Sequence, residues 1–487
     1  MPTDELAMRR QRLKELMDRG IDPYPSNVLR THSIKAVQEK FEELQKSKDR
    51  LTICGRIMAI RKHGGSTFLT VRDDGHDLQV YLKKDVIGQD GYNIIKEFDS
   101  GDFVEVTGAL FLTHKGERSI LSQTAPRIIA KTLRPLPEKW HGLSDVETRY
   151  RKRYLDLLMN NNVRTVNECR SEILRLTREY LYGQDFIEVE TPVLQPIPGG
   201  ATARPFVTHL NVLDLDLYLR VAPELYLKRL LVGGFTKIFE AAKCFRNEGM
   251  DHAHNPEFTQ IELYQAYTNY RGLMSLVEDL LGFLVTKIFD SYEFKFEQKV
   301  IDFTPPIMVK DWTSLLEECL GESIAGMTDK SLRALFLKKG IELGNTRGRG
   351  AMLDQAYKKF VRPTIIQPTF LINHPVSLSP LAKRRAENPE QTERFQLVVG
   401  NGIELVNGFS ELNDPNDQRA RFEEQERLRE AGDDEAQRLD DDFLEALEYG
   451  MPPAAGLGLG IDRLAALFTN SHSLKEVIFF PTMRPKQ

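Results

Sequence analysis

The chain has 487 residues, 41% of them hydrophobic and 28% charged, with a net charge of −5. That is more than one hydrophobic core normally serves, so two or more domains of ordinary globular composition are expected. No apolar stretch approaches the roughly 18 to 20 residues of a membrane span, so no membrane association is expected.

The N-terminus, MPTDELAMRRQRLKELMDRG, is charged throughout and carries four acidic residues in its first eighteen, unlike a secretion signal or a transit peptide. Residues 4–20 read as an amphipathic helix ending at Gly20, before the turn-rich IDPYPSN. From Leu51 to about Ile129 the pattern changes to short β runs: LTICGRIMAI, STFLTVRD, DLQVYLK, DFVEVTGALFL and RSILSQTAPRII. About five strands in some eighty residues suggest a Greek-key barrel of the OB type, a frequent binder of single-stranded nucleic acid. Residues 1–140 hold 24 basic and 20 acidic residues against 42 and 51 beyond, so the mild positive excess falls where such a barrel would meet a polyanion. The connection LRPLPEKWHGLS follows.

In the body, Cys169, Ile173, Leu176 and Tyr180 recur at helical spacing, and DFIEVETPVL reads as a strand stopped by Pro192. Residues 218–245 and 256–267 read as long strands. Residues 297–360 show helical fragments and a basic GNTRGRG loop, and residues 417–448 a charged helical surface. The four cysteines (Cys54, Cys169, Cys244, Cys319) form no CxxC and read as isolated thiols in a reducing, cytoplasmic setting.

Four segments carry chemistry. In KCFRNEGMDHAHNPEFTQIELYQAY a hairpin would turn Arg246 and Glu262 onto one face with Phe258 near them, if register allows. Arginine offers bidentate contact to phosphate or carboxylate, and an aromatic ring stacks on a base; a solvated hairpin tip is the alternative. His252 and His254 have no third ligand at zinc-like spacing. GLGLGIDR fails the dinucleotide spacing, since Ile461 stands where the third glycine belongs. Its alternating glycines would instead clear one strand face for a flat ligand, with Arg463 opening the next helix; close packing is the other reading. In GIELVNGFSELND, period two puts Asn407, Phe409 and Glu411 on one face. Glu224 is a carboxylate in the otherwise apolar VAPELYLKRL.

DFIEVETPVLQPIPGGA, FRNEG…HNPEFTQIELY and GLGLGIDRL resemble, in order, motifs 1, 2 and 3 of class II aminoacyl-tRNA synthetases. RYRKRYLDLL, APELYLKRLLVGGF, SPLAKR, NGFSELNDP and FTNSHS are similar to the bacterial-type lysyl-tRNA synthetases, over nearly the whole chain. The resemblance implies an α+β protein: a helical extension (1–50), an OB-fold anticodon-binding domain (51–132), a linker (133–150) and a class II catalytic domain (151–487) built on a six-stranded antiparallel sheet, in a cytoplasmic homodimer. It implies ATP-dependent activation of L-lysine and transfer to tRNA(Lys).

By the same resemblance Arg246 bridges the lysine carboxylate and the α-phosphate. Glu248 lies near adenine, His254 and Asn255 belong to the ATP-binding loop, and Phe258 and Arg463 sandwich the adenine. Gly200 and Glu224 receive the α-ammonium, and Asn407 joins Arg246 at the carboxylate. Glu262, Tyr264 and Glu411 surround the ε-ammonium while Phe409 packs on the methylenes. In the barrel, Phe68, Gln79 and Glu117 sit where the family reads the anticodon. Magnesium on the ATP phosphates is implied, held by Glu404, but the second expected glutamate is Gln396 here, with an apparent one-residue insertion between them. A neutral amide still ligates magnesium with one charge fewer. Among rivals, aspartyl- or asparaginyl-tRNA synthetases call for a cationic pocket, and Glu262 with Glu411 offers the reverse. A paralogue attaching a lysine-like group to a protein shares wording in GIELVNGF but lacks the barrel. A non-catalytic tRNA-binding or regulatory protein would not require both Arg246 and Arg463.

Overall fold

The computed structural model of the protein describes residues 2–137, 143–201, 203–343, 348–430 and 438–485. Residues 138–142 of LRPLPEKWHGLS, Thr202 of IPGGATARPF, 344–347 of GNTRGRG and 431–437 of the charged region lie outside them. The chain forms two units, residues 1–161 and 162–487.

In the first unit α1 (Pro2–Asp18) precedes six strands: β1 (Leu51–His63), β2 (Ser66–Asp73), β3 (His76–Lys83), β4 (Phe103–Leu112), β5 (Arg118–Ser122) and β6 (Arg127–Ala130). They join in the order β1-β2-β3-β5-β4-β6, and β1 also pairs with β4, which closes the barrel. The sixth strand arises because RSILSQTAPRII breaks before Pro126, which has no N–H to offer a ladder. Alternation fills the interior with Ile53, Leu69, Val71, Val80 and Val106, and Leu16, Ile34 and Phe41 of the preceding segment pack into the same core.

The second unit runs, in chain order, through α2 (Asn161–Gly183), β7 (Ile187–Glu188), α3 (Glu224–Val232), β8 (Lys237–Phe245), β9 (Glu257–Ala266), α4 (Tyr270–Phe289), β10 (Met308–Asp311), α5 (Arg349–Phe360), β11 (Thr369–Ile372), β12 (Arg394–Val399), β13 (Ile403–Ser410), β14 (Ala454–Gly460) and α6 (Ile461–Phe468). The eight strands order as β10-β11-β12-β13-β14-β9-β8-β7. The six inner strands are antiparallel, and the expected count of six becomes eight because a parallel strand borders each edge, β10 on β11 and β7 on β8.

Alternation sorts the sheet's two faces. Ile261 and Leu263 of β9, Leu397 of β12, and Leu457 and Leu459 of β14 bury against Ile173 and Leu176 of α2, Leu280 and Leu284 of α4, and Leu464 and Leu467 of α6. Each such burial contributes about 1.5–3 kcal/mol, which leaves the polar residues of the same strands on the opposite face.

The structure corrects two readings. Residues 218–245 are not one strand: Leu215–Leu219 is extended, and α3 intervenes before β8. ELYLKRLLV consists largely of helix formers, and a buried helix can be as continuously apolar as a strand. DFIEVETPVL yields only β7 and a second two-residue strand, Leu194–Gln195, on either side of Pro192. The fragments in 297–360 include helices Trp312–Leu320, Asp329–Lys338 and α5, which share a core of Trp312, Leu316, Phe336 and Leu353. Among the described residues no helix is long and apolar enough to cross a membrane. The four cysteines are free thiols.

Candidate active site

The polar face of the larger sheet floors a cavity of about 530 Å³. Its geometry starts from register. Cys244 opposes Phe258 and Glu240 opposes Glu262, so the β8–β9 hairpin does turn Arg246, Phe258, Gln260 and Glu262 toward the cavity. In β14, Gly456 sits between Tyr264 and Phe409, and Gly458 between Glu262 and Asn407. The two glycines serve different purposes. A Cβ on Gly456 would stand 2.3 Å from the Tyr264 ring, so that glycine is required by packing. A Cβ on Gly458 would meet nothing closer than 3.8 Å and would project into the cavity, so that one keeps space open for a ligand.

At one end Glu262 is buried, accepts from the Gln260 amide and, at 3.3 Å, from the Tyr264 hydroxyl. Among the described residues no basic side chain lies within ion-pair distance of it, and burial, reinforced by Glu224, pushes its carboxyl well above the usual range. Gly200, with φ +89°, passes so near Glu224 that a Cβ would stand 2.8 Å from that residue's own Cβ. Only glycine takes up this left-handed backbone at such an approach without strain. Asn407 and Phe409 line the same wall. Glu411 does not line it: its carboxylate pairs with Lys228 Nζ at 2.6 Å, because it lies just past the end of β13, beneath Gly456.

At the other end Arg246 lies with its guanidinium over the Phe258 ring, 5.0 Å from the centroid. Among the described residues its buried Nε has no hydrogen-bond partner, nor has Oδ1 of Asn255. Glu248 and His254 reach the cavity rim, where His254 Nδ1 pairs with Asp251 at 2.9 Å. Arg463 opens α6 and donates to the Glu404 carbonyl at 3.2 Å; burial lowers its pKa against the opposing pull of Glu404.

A β-bulge interrupts the pairing of β12 and β13 beside Glu404. Leu397 pairs with Val406 but Val398 pairs with Glu404, so Leu405 is the extra residue and Glu404 is re-aimed to the cavity side. Gln396 does not join it. That side chain is outside the cavity wall, and its Oε1 lies 3.1 Å from Nε2 of His374, a buried imidazole held well below its usual pKa by burial and by Arg394. Among the described residues no group of three or more His, Cys, Asp or Glu could hold a metal. A lone carboxylate still suits a magnesium ion that arrives on ATP phosphates, which need only one or two protein carboxylates.

Sequence reasoning missed Arg394, Gln260, Lys228 and Asp462. Arg394 donates to Asn407 Oδ1 at 2.9 Å and to the Leu378 carbonyl at 2.6 Å. Asp462 accepts from Thr259 N–H at 2.8 Å and pairs with Arg170 at 2.7 Å, which fixes the turn carrying Arg463. Period two from Gln396 would have placed Arg394 on the cavity face. The same alternation from Glu262 would have found Gln260, and nothing local in the sequence signals Lys228 or Asp462.

In the barrel, Phe68 is half-buried and stacks on Tyr81, 4.6 Å between centroids and 10° between planes, with Phe111 a further 5.9 Å from Tyr81. Gln79 is on the same face, but both ends of its amide are engaged, by Ser119 at 2.9 Å and Arg61 at 3.0 Å. Glu117 is exposed on the turn before β5, where its backbone closes onto Thr113. The arrangement is an aromatic platform flanked by a basic and an acidic side chain.

Fold and cavity together define a class II synthetase architecture, and the comparisons agree. Residues 145–484 match the model of class II tRNA synthetases for D, K and N, and residues 51–136 that of the OB-fold nucleic acid binding domain. The chain belongs to the class II tRNA synthetase family. Among curated proteins it is 45% identical to a lysine–tRNA ligase of Pelotomaculum thermopropionicum, over 99% of this chain and 95% of that protein. It is 46% identical to the lysine–tRNA ligase of Moorella thermoacetica, over 99% and 98%, and 45% identical to that of Oceanobacillus iheyensis, over 99% of each.

Proposed function

We propose that the protein is an ATP-dependent lysine–tRNA ligase, forming lysyl-adenylate and pyrophosphate and then transferring the lysyl group to the 3′-terminal adenosine of tRNA(Lys). The observation that carries the choice of lysine is Glu262, a buried carboxylate on the cavity floor that has no basic side chain within ion-pair distance among the described residues. An arriving ammonium supplies the missing charge, whereas an aspartate or asparagine side chain would leave that carboxylate repelled or unpaired.

The remaining roles are those the family resemblance implies, and the places of these side chains around the cavity support them. Glu224 and Gly200 receive the α-ammonium, Asn407 and Arg246 hold the carboxylate, and Phe409 packs on the methylenes. Phe258 and Arg463 enclose adenine, with Glu248 beside it, and His254 and Asn255 meet the phosphates from the loop. The lysine carboxylate oxygen attacks the α-phosphorus, and the bond to the bridging oxygen of pyrophosphate breaks. Arg246 stabilises charge that develops on the α-phosphate. In the second step the ribose hydroxyl attacks the acyl carbon and AMP leaves. Magnesium would be held by Glu404 together with the ATP phosphates, and would there supply neutralisation of their charge. Phe68 stacks an anticodon base, with Gln79 and Glu117 beside it to select among bases. A cytoplasmic homodimer is part of the reading: Ile187, Leu194, Val207 and Leu213 are exposed apolar side chains in the segment after α2, as an interface would require.

The test is incubation with ATP, labelled lysine and tRNA bearing the lysine anticodon. Acid-precipitable label that is removed by ribonuclease supports the proposal. Label retained on a protein, or none incorporated, overturns it.

A further inference from the structure

Phe258 and Arg463, the two sides of the adenine end of the cavity, come from different elements: Phe258 is the second residue of β9 and Arg463 the third of α6. The β9–β14 ladder ends at the pair Gln260 and Gly460, short of both. What joins the two segments beyond it is a polar contact between their immediate neighbours. The N–H of Thr259, next to Phe258, donates to Asp462 Oδ2 at 2.8 Å, and Asp462 is next to Arg463. Arg170 of α2 reaches both. Its Nε donates to Asp462 Oδ1 at 2.8 Å, while its Nη2 lies 2.7 Å from the same oxygen and donates to Thr259 Oγ1 at 3.0 Å. Thr259 and Asp462 are buried, and the Arg170 side chain is 18% exposed.

A carboxylate buried alone is costly, and the Arg170 guanidinium both compensates its charge and fixes its direction, since bonds from a charged planar fork are short and directional. The contact ties α2, β9 and α6 at one point. Thr259 and Asp462 belong to the cavity wall, whereas Arg170 stands outside it. Stacking holds only within a narrow range of ring separations, so the gap between the two faces decides how well a base is gripped. We propose that Arg170 is a positioning residue for nucleotide binding, which sets the gap between Phe258 and Arg463 through Thr259 and Asp462. It acts on ATP without touching it. The lysine end is held by other contacts, Glu262 by Gln260 and Tyr264, and Asn407 by Arg394. The assignment rests on the adenine placement given above.

The experiment uses full-length enzyme in lysine-dependent ATP–pyrophosphate exchange, with adenosine as a competitive inhibitor that carries only the base and ribose of ATP. Arg170→Lys keeps the charge that Asp462 needs but replaces the fork by a single point charge. The KM for ATP should rise about fivefold or more and the adenosine inhibition constant by the same factor, while kcat and the KM for lysine change by less than about twofold, the pattern of lost ground-state binding. Arg170→Met combined with Asp462→Asn leaves no unpaired charge and should show the same pattern. Wild-type ATP and adenosine constants in both variants overturn the proposal, as does a lysine KM that rises as far as that for ATP. A raised ATP KM with an unchanged adenosine constant also overturns it, because the loss would then be on the phosphates. Should Arg170→Lys not fold, the double variant decides alone, and if that too is unfolded the contact is only structural and the proposal falls. Failure of adenosine to inhibit the wild type would bring down the adenine placement and this assignment together. Equal inhibition of wild type and variants brings down only the role of Arg170.

Discussion

The guanidinium of Arg246 lies 5.0 Å over the ring of Phe258, a contact that holds the cation at the junction of the cavity's two ends. The buried Nε beside it has no hydrogen-bond partner among the described residues, so a ligand oxygen is the group that completes it. Arg246→Ala is predicted to lower adenylate formation by about 10²–10³-fold, the effect of removing one donor aimed at developing charge. The melting temperature should hold. Near-wild-type exchange in that variant would end the assignment.

The two glycines of β14 separate packing from ligand space. Gly456→Ala drives a methyl into the Tyr264 ring and Glu411, and should destabilise the protein by about 1–3 kcal/mol, the ordinary cost of overpacking. Gly458→Ala meets no protein atom within 3.4 Å, so its melting curve should match the wild type while substrate activation falls. Thermal melts with exchange rates on both variants check the contrast. Equal melting temperatures for the two would contradict it.

In the barrel, Phe68→Ala removes one side of the stacked pair with Tyr81. Charging of tRNA should weaken by about 1–3 kcal/mol, the value of a base–aromatic stack, and lysine activation should be spared. Measuring both steps decides it, since equal damage to each would mark Phe68 as only a packing residue.

Glu404 faces the cavity and Gln396 is held against His374. Glu404→Gln is therefore predicted to raise the magnesium needed for half-maximal exchange about tenfold, within the range for loss of a metal-site residue. Gln396→Met should leave it within about twofold. A magnesium titration in which Gln396→Met moves the midpoint as far as Glu404→Gln would place the amide at the ion.

Much of this was legible in the sequence because local rules operated without competition. Alternation in β9 and β13 put Glu262, Tyr264, Asn407 and Phe409 on one face, and the glycine pattern marked β14 as the strand the ligand approaches. The legibility ended where tertiary context decided. ELYLKRLLV is apolar enough for a buried strand, yet folds as α3, and only as a helix does it bring Lys228 under Glu224. The fate of Glu411 depended on an ion pair to a residue 183 positions earlier in the chain (411 against 228). The placing of Gln396 at the metal comes from the family resemblance, and neither the bulge at Leu405 nor the buried His374 leaves a local trace.

The most direct test of the central claim is ATP–pyrophosphate exchange with each standard amino acid in turn. Because Glu262 meets the substrate side chain as a buried carboxylate that, among the described residues, has no basic side chain within ion-pair distance, lysine alone should drive strong exchange. Faster exchange with aspartate or asparagine than with lysine would contradict the account.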